Sequence, residues 1–125
     1  MTAGRPKHIL VVDDDDMMRA FIKELLTINK FKITEADNGK SGLKAFLDYK
    51  PNLVITDIIM PEMEGISFIK KLRSHDKNIP IIAMTGNIHG RMEEFLDISA
   101  KLGADEILRK PIKSQDFLEA INKLL

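Results

Sequence analysis

No cysteine and no tryptophan occur in the 125 residues. The missing thiols exclude disulfide frameworks, thiol catalysis and thiolate zinc sites together. An excess of charge of either sign is missing too, since 19 Lys and Arg offset 19 Asp and Glu. Without a basic excess the chain lacks the electrostatic footprint that a phosphate backbone demands, and direct nucleic-acid binding is not expected. No apolar run approaches the ~18–20 residues of a membrane span. The opening Met1-Thr2-Ala3-Gly4-Arg5-Pro6-Lys7 lacks the apolar stretch and cleavage site of a secretory signal. These absences lead to a small protein without membrane insertion in a reducing compartment, the cytoplasm being the simplest. What is present is 44% hydrophobic residues in a chain of ordinary single-domain length. One domain is expected over residues 1–125, with 1–6 as an N-terminal tail, and it is long enough for a core without staples.

Two kinds of segment alternate along the chain. Ile9-Leu10-Val11-Val12, Leu53-Val54-Ile55-Thr56 and Ile81-Ile82-Ala83-Met84 are short, β-branched and continuously apolar. That character suits strands covered on both faces, as in a parallel sheet. Lys32–Ala36 and Glu106–Arg109 are more mixed and read as edge strands. Between them runs helical spacing. Met17, Met18, Phe21, Ile22, Leu25 and Leu26 form one apolar stripe, and Ile66, Ile69 and Leu72 form another after Gly65. Ser41–Leu47 turns Leu43, Phe46 and Leu47 inward despite Gly42. Met92, Phe95, Leu96 and Leu102 precede Gly103, a left-handed helix stop. The last helix is predicted behind Ser114 as N-cap, with Asp116 in its first turn and Phe117, Leu118, Ile121 and Leu125 buried. Methionines at this spacing are core filler, and His8, His75 and His89 show no metal-ligand spacing. Five strands alternating with five helices give a doubly wound α/β sheet.

The polar residues that end the apolar runs carry the chemistry. The first strand runs into Asp13-Asp14, the third into Asp57, the fourth into Thr85, and the fifth, one residue further on, into Lys110. Parallel strands bring these ends to one edge, where open α/β sheets bind ligands. The second strand ends in Asp37-Asn38-Gly39, which reads as a plain turn. Three gathered carboxylates repel one another, and a hard divalent cation relieves the repulsion. Oxygen ligands without His or Cys point to Mg2+ rather than zinc. Asp57 is then a candidate carboxylate nucleophile. Lys110 supplies a point charge and Thr85 a hydroxyl for a transferring phosphoryl group. Taken singly, each has an ordinary explanation as a cap, turn or surface residue, and Asp15 or Asp16 is expected to cap the first helix. It is their coincidence on one edge that calls for a site.

Ile9-Leu10-Val11-Val12-Asp13-Asp14, Asp57-Ile58-Ile59-Met60-Pro61-Glu62-Met63-Glu64-Gly65, Met84-Thr85-Gly86, and Gly103-Ala104-Asp105 leading to Lys110-Pro111 occur in that order. With these signatures the chain resembles a response-regulator receiver domain, the phosphoacceptor module of two-component signalling, over nearly its whole length. The resemblance implies a flavodoxin-like (βα)5 fold with strand order 2-1-3-4-5. It implies that Asp57 accepts a phosphoryl group from a histidine kinase or a His-containing phosphotransfer protein. Small donors of the acetyl phosphate type would serve as well. It further implies that Asp14 binds Mg2+ directly, Asp13 largely through water, and Ile59 through its backbone carbonyl. Thr85 and Lys110 would hold phosphoryl oxygens and relay the change to the face formed by the fourth helix, the fifth strand and the last helix. A cis Lys110-Pro111 bond would aim the lysine inward.

Three departures accompany the resemblance. Ile107 stands where the family carries its switch aromatic. Ile59 and Asn87, flanking the phosphorylation site, are not carboxylate bases, so rapid self-dephosphorylation is not evident. The stretch from Thr85 to Lys110 is longer than usual, with the extra length assigned to Asn87-Ile88-His89-Gly90-Arg91. A receiver-fold interaction module that works without phosphorylation is the alternative, with Ile107 in its favour and the intact site against it. An aspartyl-phosphatase of the haloacid dehalogenase type needs a second Asp where Ile59 stands. Gly39-Lys40-Ser41 ends like a P-loop, but Thr34 occupies the first glycine position. Four consecutive aspartates after the first strand would repel a flavin phosphate.

Overall fold

The computed structural model describes residues 6–58, 60, 65–86, 97, 100, 101 and 103–125. Its elements are β1 (His8–Val12), α1 (Asp16–Ile28), β2 (Lys32–Ala36), α2 (Gly39–Tyr49), β3 (Leu53–Asp57), α3 (Gly65–His75), β4 (Ile81–Thr85), β5 (Glu106–Arg109) and α4 (Ser114–Leu124). The strands pair in parallel in the order β2-β1-β3-β4-β5. This is the doubly wound arrangement expected, with the two strands of mixed polarity at the edges. Of the helix predicted before Gly103, residues 97, 100 and 101 are helical. Met92, Phe95, Leu96 and Leu102, and the loop Asn87–Arg91, lie outside the described residues.

Continuous apolar strands are explained by two cores. Leu10, Val12, Val54, Ile81 and Ala83 pack against Phe46, Phe68, Ile69 and Leu72 of α2 and α3. The alternate residues Ile9, Val11, Leu53, Ile55, Ile82 and Met84 pack against Ile22, Leu26, Phe117 and Ile121 of α1 and α4. A period of two sends neighbours to opposite faces, and both faces are covered. Helix α2 lies so close to the sheet that a Cβ on Gly42 would meet Val12 Cγ2 at 3.0 Å and Phe68 Cζ at 3.1 Å. Here glycine's helix penalty is outweighed by close packing.

Several inward assignments need correction. Met17 is 84% exposed and Phe21 38% exposed. The buried line of α1 runs through Ile22 and Leu26, flanked by Met18 and Leu25, so residues 17 and 21 fall on its outer flank. Leu47 is likewise exposed, and Ala45 and Phe46 take the inward positions. Ser114 is not the N-cap of the last helix. The helix starts at Ser114 itself, after Lys113, which gives no side-chain cap bond. Leu125 is exposed at the helix end and Leu118 only half-buried, while Ala120 packs inside. Asp37-Asn38-Gly39 does more than turn: Asn38 caps α2 by accepting the Ser41 N–H at 2.8 Å. Gly103 has φ +105°, the left-handed region assigned to it.

Arg73 closes the edge of the sheet opposite the strand ends. Its guanidinium donates to the carbonyls of Gly103, at 2.7 Å and 3.1 Å, and Ile79, at 2.6 Å, and pairs with Asp105 at 3.0 Å. Asp105 also accepts the Ile81 N–H at 2.8 Å.

At the other edge, α3 starts with its backbone against that of β3. The Gly65 N–H donates to Ile58 O at 2.7 Å. A Cβ on Gly65 would run into Asp57 O and lie 2.5 Å from Ile58 Cα. These obstacles are backbone atoms that no side-chain rotation relieves. Gly65→Ala is therefore expected to destabilise the fold by roughly 2 kcal/mol or more. Gly86→Ala, where none of the described residues lies within 4 Å of the added carbon, should stay within about 0.5 kcal/mol of the parent. Urea denaturation of the two variants checks the contrast.

Candidate functional site

The strand ends build the site. Asp13 continues β1 by one residue, its N–H donating to Ala36 O at 3.1 Å. Asp57 is the last residue of β3 and lies opposite Met84. Thr85 ends β4, and the Lys110 N–H donates to its carbonyl at 2.7 Å, carrying the β4–β5 pairing one step further. Registers across three strand pairs thus bring residues from four parts of the chain to one edge.

Carboxylate oxygens of Asp13, Asp14 and Asp57 lie within 4.8 Å of one another. Asp13 is fully buried and Asp57 is 7% exposed, whereas Asp14 faces solvent. Between them reaches Lys110, whose Nζ donates to Asp57 Oδ2 at 2.8 Å and to Asp13 Oδ2 at 3.2 Å. The Lys110-Pro111 peptide is cis, as the resemblance implies. Thr85 is fully buried, and its hydroxyl donates to Gly86 O at 3.1 Å. The turn into α1 is tied to the same cluster. Asp13 Oδ1 accepts the Asp15 N–H at 3.0 Å, and Asp15 accepts from Met17 and Met18 at the start of the helix. Asp15 is therefore the cap expected from the acidic run. The Ile59 carbonyl and Asn87 lie outside the described residues.

Burial pushes the Asp13 carboxyl above the usual carboxylate range, and the charge of Asp57 adds to it, although the Asp15 N–H and Lys110 pull the other way. Burial works against the Lys110 ammonium as well. There the hydrogen bond and charge of Asp57, with those of Asp13, prevail and hold the pKa above that of an ordinary lysine. Three carboxylates facing one ammonium leave an excess of negative charge with only oxygen donors. That donor set fits a hard divalent cation of the Mg2+ type, which takes one or two carboxylates and completes its shell with other oxygens. A carboxylate at a strand end, an ammonium on one of its oxygens and a neighbouring hydroxyl are together suited to receive a phosphoryl group.

Every sequence-predicted side chain of the site thus lies on one edge, with the carboxylates of Asp13, Asp14 and Asp57 clustered and Lys110 bonded to Asp13 and Asp57. Sequence reasoning missed Arg19. One turn into α1, its guanidinium is folded back under the site and only 16% exposed, with Nη1 2.7 Å from the carbonyl oxygen of Asp13. Its spacing from Asp16, three residues earlier on the same helix, was the only available signal. Ile107 is half-buried against the core on the α2 and α3 side, paired with Ala83 of β4.

Residues 9–122 match the family model for the response regulator receiver domain. The chain is 37% identical over 119 residues to the chemotaxis protein CheY of Bacillus subtilis, covering 94% of this chain and 97% of that protein. It is 35% identical over 127 residues to the two-component response regulator ORR11 of Oryza sativa, covering 98% and 83%. Among solved structures, a response regulator receiver domain protein from Clostridium thermocellum superposes with a TM-score of 0.87 at 32% identity, covering 94% of this chain and 93% of that one. A CheY-like receiver domain protein from Methanospirillum hungatei gives 0.87 at 31% identity, covering 95% and 94%. Fold, site and relatives agree, and the chain belongs to the response regulator receiver domain family.

Proposed function

We propose that the chain, as a single receiver unit, accepts a phosphoryl group on Asp57 from the phosphohistidine of a histidine kinase or a His-containing phosphotransfer protein. The observation that carries this reading is the Lys110 ammonium, 2.8 Å from Asp57 and 3.2 Å from Asp13. In the transfer, an oxygen of Asp57 forms a bond to phosphorus as the donor's N–P bond breaks, and the donor nitrogen leaves with the electron pair. Lys110 stays beside the new acyl phosphate and offsets its charge. The Thr85 hydroxyl exchanges the Gly86 carbonyl for a phosphoryl oxygen, and that exchange starts the signal. Asp13, Asp14, Asp57 and the carbonyl of Ile59 would hold Mg2+. When bound, the ion neutralises charge on the phosphoryl oxygens.

Output runs through the face formed by the helical segment before Gly103, β5 and α4. With Ile107 in place of an aromatic, the movement there is a repacking of β5 rather than the swing of a ring. The partners are the phosphodonor and a downstream protein, and the compartment is the cytoplasm. In the described residues no helix is long and apolar enough to cross a membrane. Receiver domains are signalling modules, and this one assists its own phosphorylation and dephosphorylation rather than turning over an outside substrate. A receiver-fold module that docks without phosphorylation is the second reading, favoured by the aliphatic Ile107.

Acetyl phosphate with Mg2+ should add one phosphoryl group by intact-mass analysis, and chelation of the metal should abolish the addition. Asp57→Asn should take up none while keeping the circular dichroism of the parent. Uptake by Asp57→Asn at parental stoichiometry would contradict the assignment, and no uptake by the parent would favour docking alone. Lys110→Ala should still bind Mg2+ in a calorimetric titration. Its phosphorylation, however, should shift the amide signals of Thr85 and Ile107 far less than in the parent.

The raised pKa of Asp13 sets a pH dependence. Protonated Asp13 is favoured by the fold, so its contribution to stability is present below about pH 4, the unfolded value, and is lost as pH rises through the higher folded value. In the absence of metal, Asp13→Asn should therefore melt higher than the parent at neutral pH and lose that advantage on acidification. Scanning calorimetry across the pH range checks the sign.

A further inference from the structure

Arg19 makes contacts that a helix-surface arginine does not need. Its Nη1 donates to the backbone carbonyl of Asp13 at 2.7 Å, and its Nη2 to Asp16 Oδ1 at 2.6 Å. Its Nε lies 3.6 Å from Glu35 Oε1 on β2, and the other oxygen of Glu35 pairs with Lys23 at 3.3 Å. The fork therefore joins the β1–α1 turn to the end of β2, a bridge suited to a planar guanidinium rather than to a point charge.

The carbonyl that Arg19 holds belongs to the peptide linking Asp13 to Asp14. Asp13 is secured independently, by Lys110 and the Asp15 N–H on its carboxylate and by Ala36 on its N–H. Asp14 differs. Its carboxylate is exposed, and among the described residues no hydrogen bond or ion pair holds it. The direction in which it leaves the chain is set by its backbone, and the plane of the preceding peptide is pinned by Arg19. We infer that Arg19 is a positioning residue for the metal site, acting through the Asp13 carbonyl to aim the Asp14 carboxylate at the cluster with Asp13 and Asp57. This inference rests on the phosphoacceptor reading, in which those carboxylates hold Mg2+.

Charge and positioning predict opposite signs. As a charge alone, Arg19 repels a cation from the acidic cluster, so its removal would tighten Mg2+ binding. As a positioning residue, its removal loosens the ligand and weakens binding about tenfold or more, the usual effect of losing a group that orients a metal ligand. Calorimetric titration of the full chain with MgCl2 separates the two. Arg19→Ala should bind more weakly. Arg19→Lys, which keeps the charge and loses the fork, should weaken binding as well, and it decides the matter if the alanine variant does not fold. In the metal-free proteins both substitutions should move the amide resonance of Asp14, whose nitrogen belongs to the gripped peptide. Parental or tighter Mg2+ binding in Arg19→Ala, or parental binding in Arg19→Lys, overturns the inference alone. Absence of Mg2+ binding by the parent overturns the phosphoacceptor reading and this inference with it.

Discussion

The ammonium of Lys110 touches Asp57 and Asp13, partners 53 and 97 residues away along the chain, and it sets a positive charge directly among the carboxylates gathered at that edge of the sheet. Carboxylates held within 4.8 Å in a partly desolvated place repel strongly, because the protein interior screens charge less than water does. Lys110 relieves part of that repulsion and leaves the remainder unsatisfied. A fully neutralised cluster would have no reason to recruit a cation or a phosphoryl group. A cluster without the lysine would carry the repulsion in full. The intermediate balance lets the edge be built while it keeps an excess of negative charge.

The rest of the architecture serves to keep that balance in place. Parallel pairing puts the last residues of β1, β3 and β4 on one edge, and two apolar layers hold the strands in register. Gly42 lets α2 approach the sheet, and Gly65 lets α3 begin against the backbone of Asp57 itself. At the opposite edge, Arg73 satisfies the carbonyls of Gly103 and Ile79 and the carboxylate of Asp105. Guanidinium forks grip backbone carbonyls at both ends of the sheet, Arg73 at one and Arg19 at the other, whereas the lysine stands only among the carboxylates. A guanidinium fork ties backbone to backbone at the structural end. An ammonium, which can shift between oxygens, stands among the carboxylates at the other end.

Errors in the sequence reading have a common origin. The three central strands were legible because a β-branched apolar run bounded by polar residues has few other uses, and the two mixed segments were legible as edge strands. Helix faces were legible only to within one residue's rotation. Met17 and Leu47 satisfy helical spacing yet are exposed, and Phe21, 38% exposed, is covered only in part, by the ring of Phe117. Which flank is covered depends on the crossing of helix over sheet, and spacing along the chain does not contain it. Ser114 has the chemistry of a cap, but the chain turns helical one residue sooner. Arg19 and Arg73 went unnoticed because an arginine on an amphipathic helix looks the same whether its fork meets water or backbone carbonyls.

Composition and residue order were sufficient for the class of fold, the five strands, the edge strands and the placing of Asp13, Asp14, Asp57, Thr85 and Lys110 at the strand ends. Each of these follows from local chemistry, either an apolar run or the polar residue that terminates it. Tertiary structure alone decided that Lys110 bridges two aspartates, that Asp13 is buried while Asp14 is open, and that a guanidinium lies beneath them. Distances between side chains remote in sequence are set by strand register and helix crossing, which arise from packing the whole chain at once.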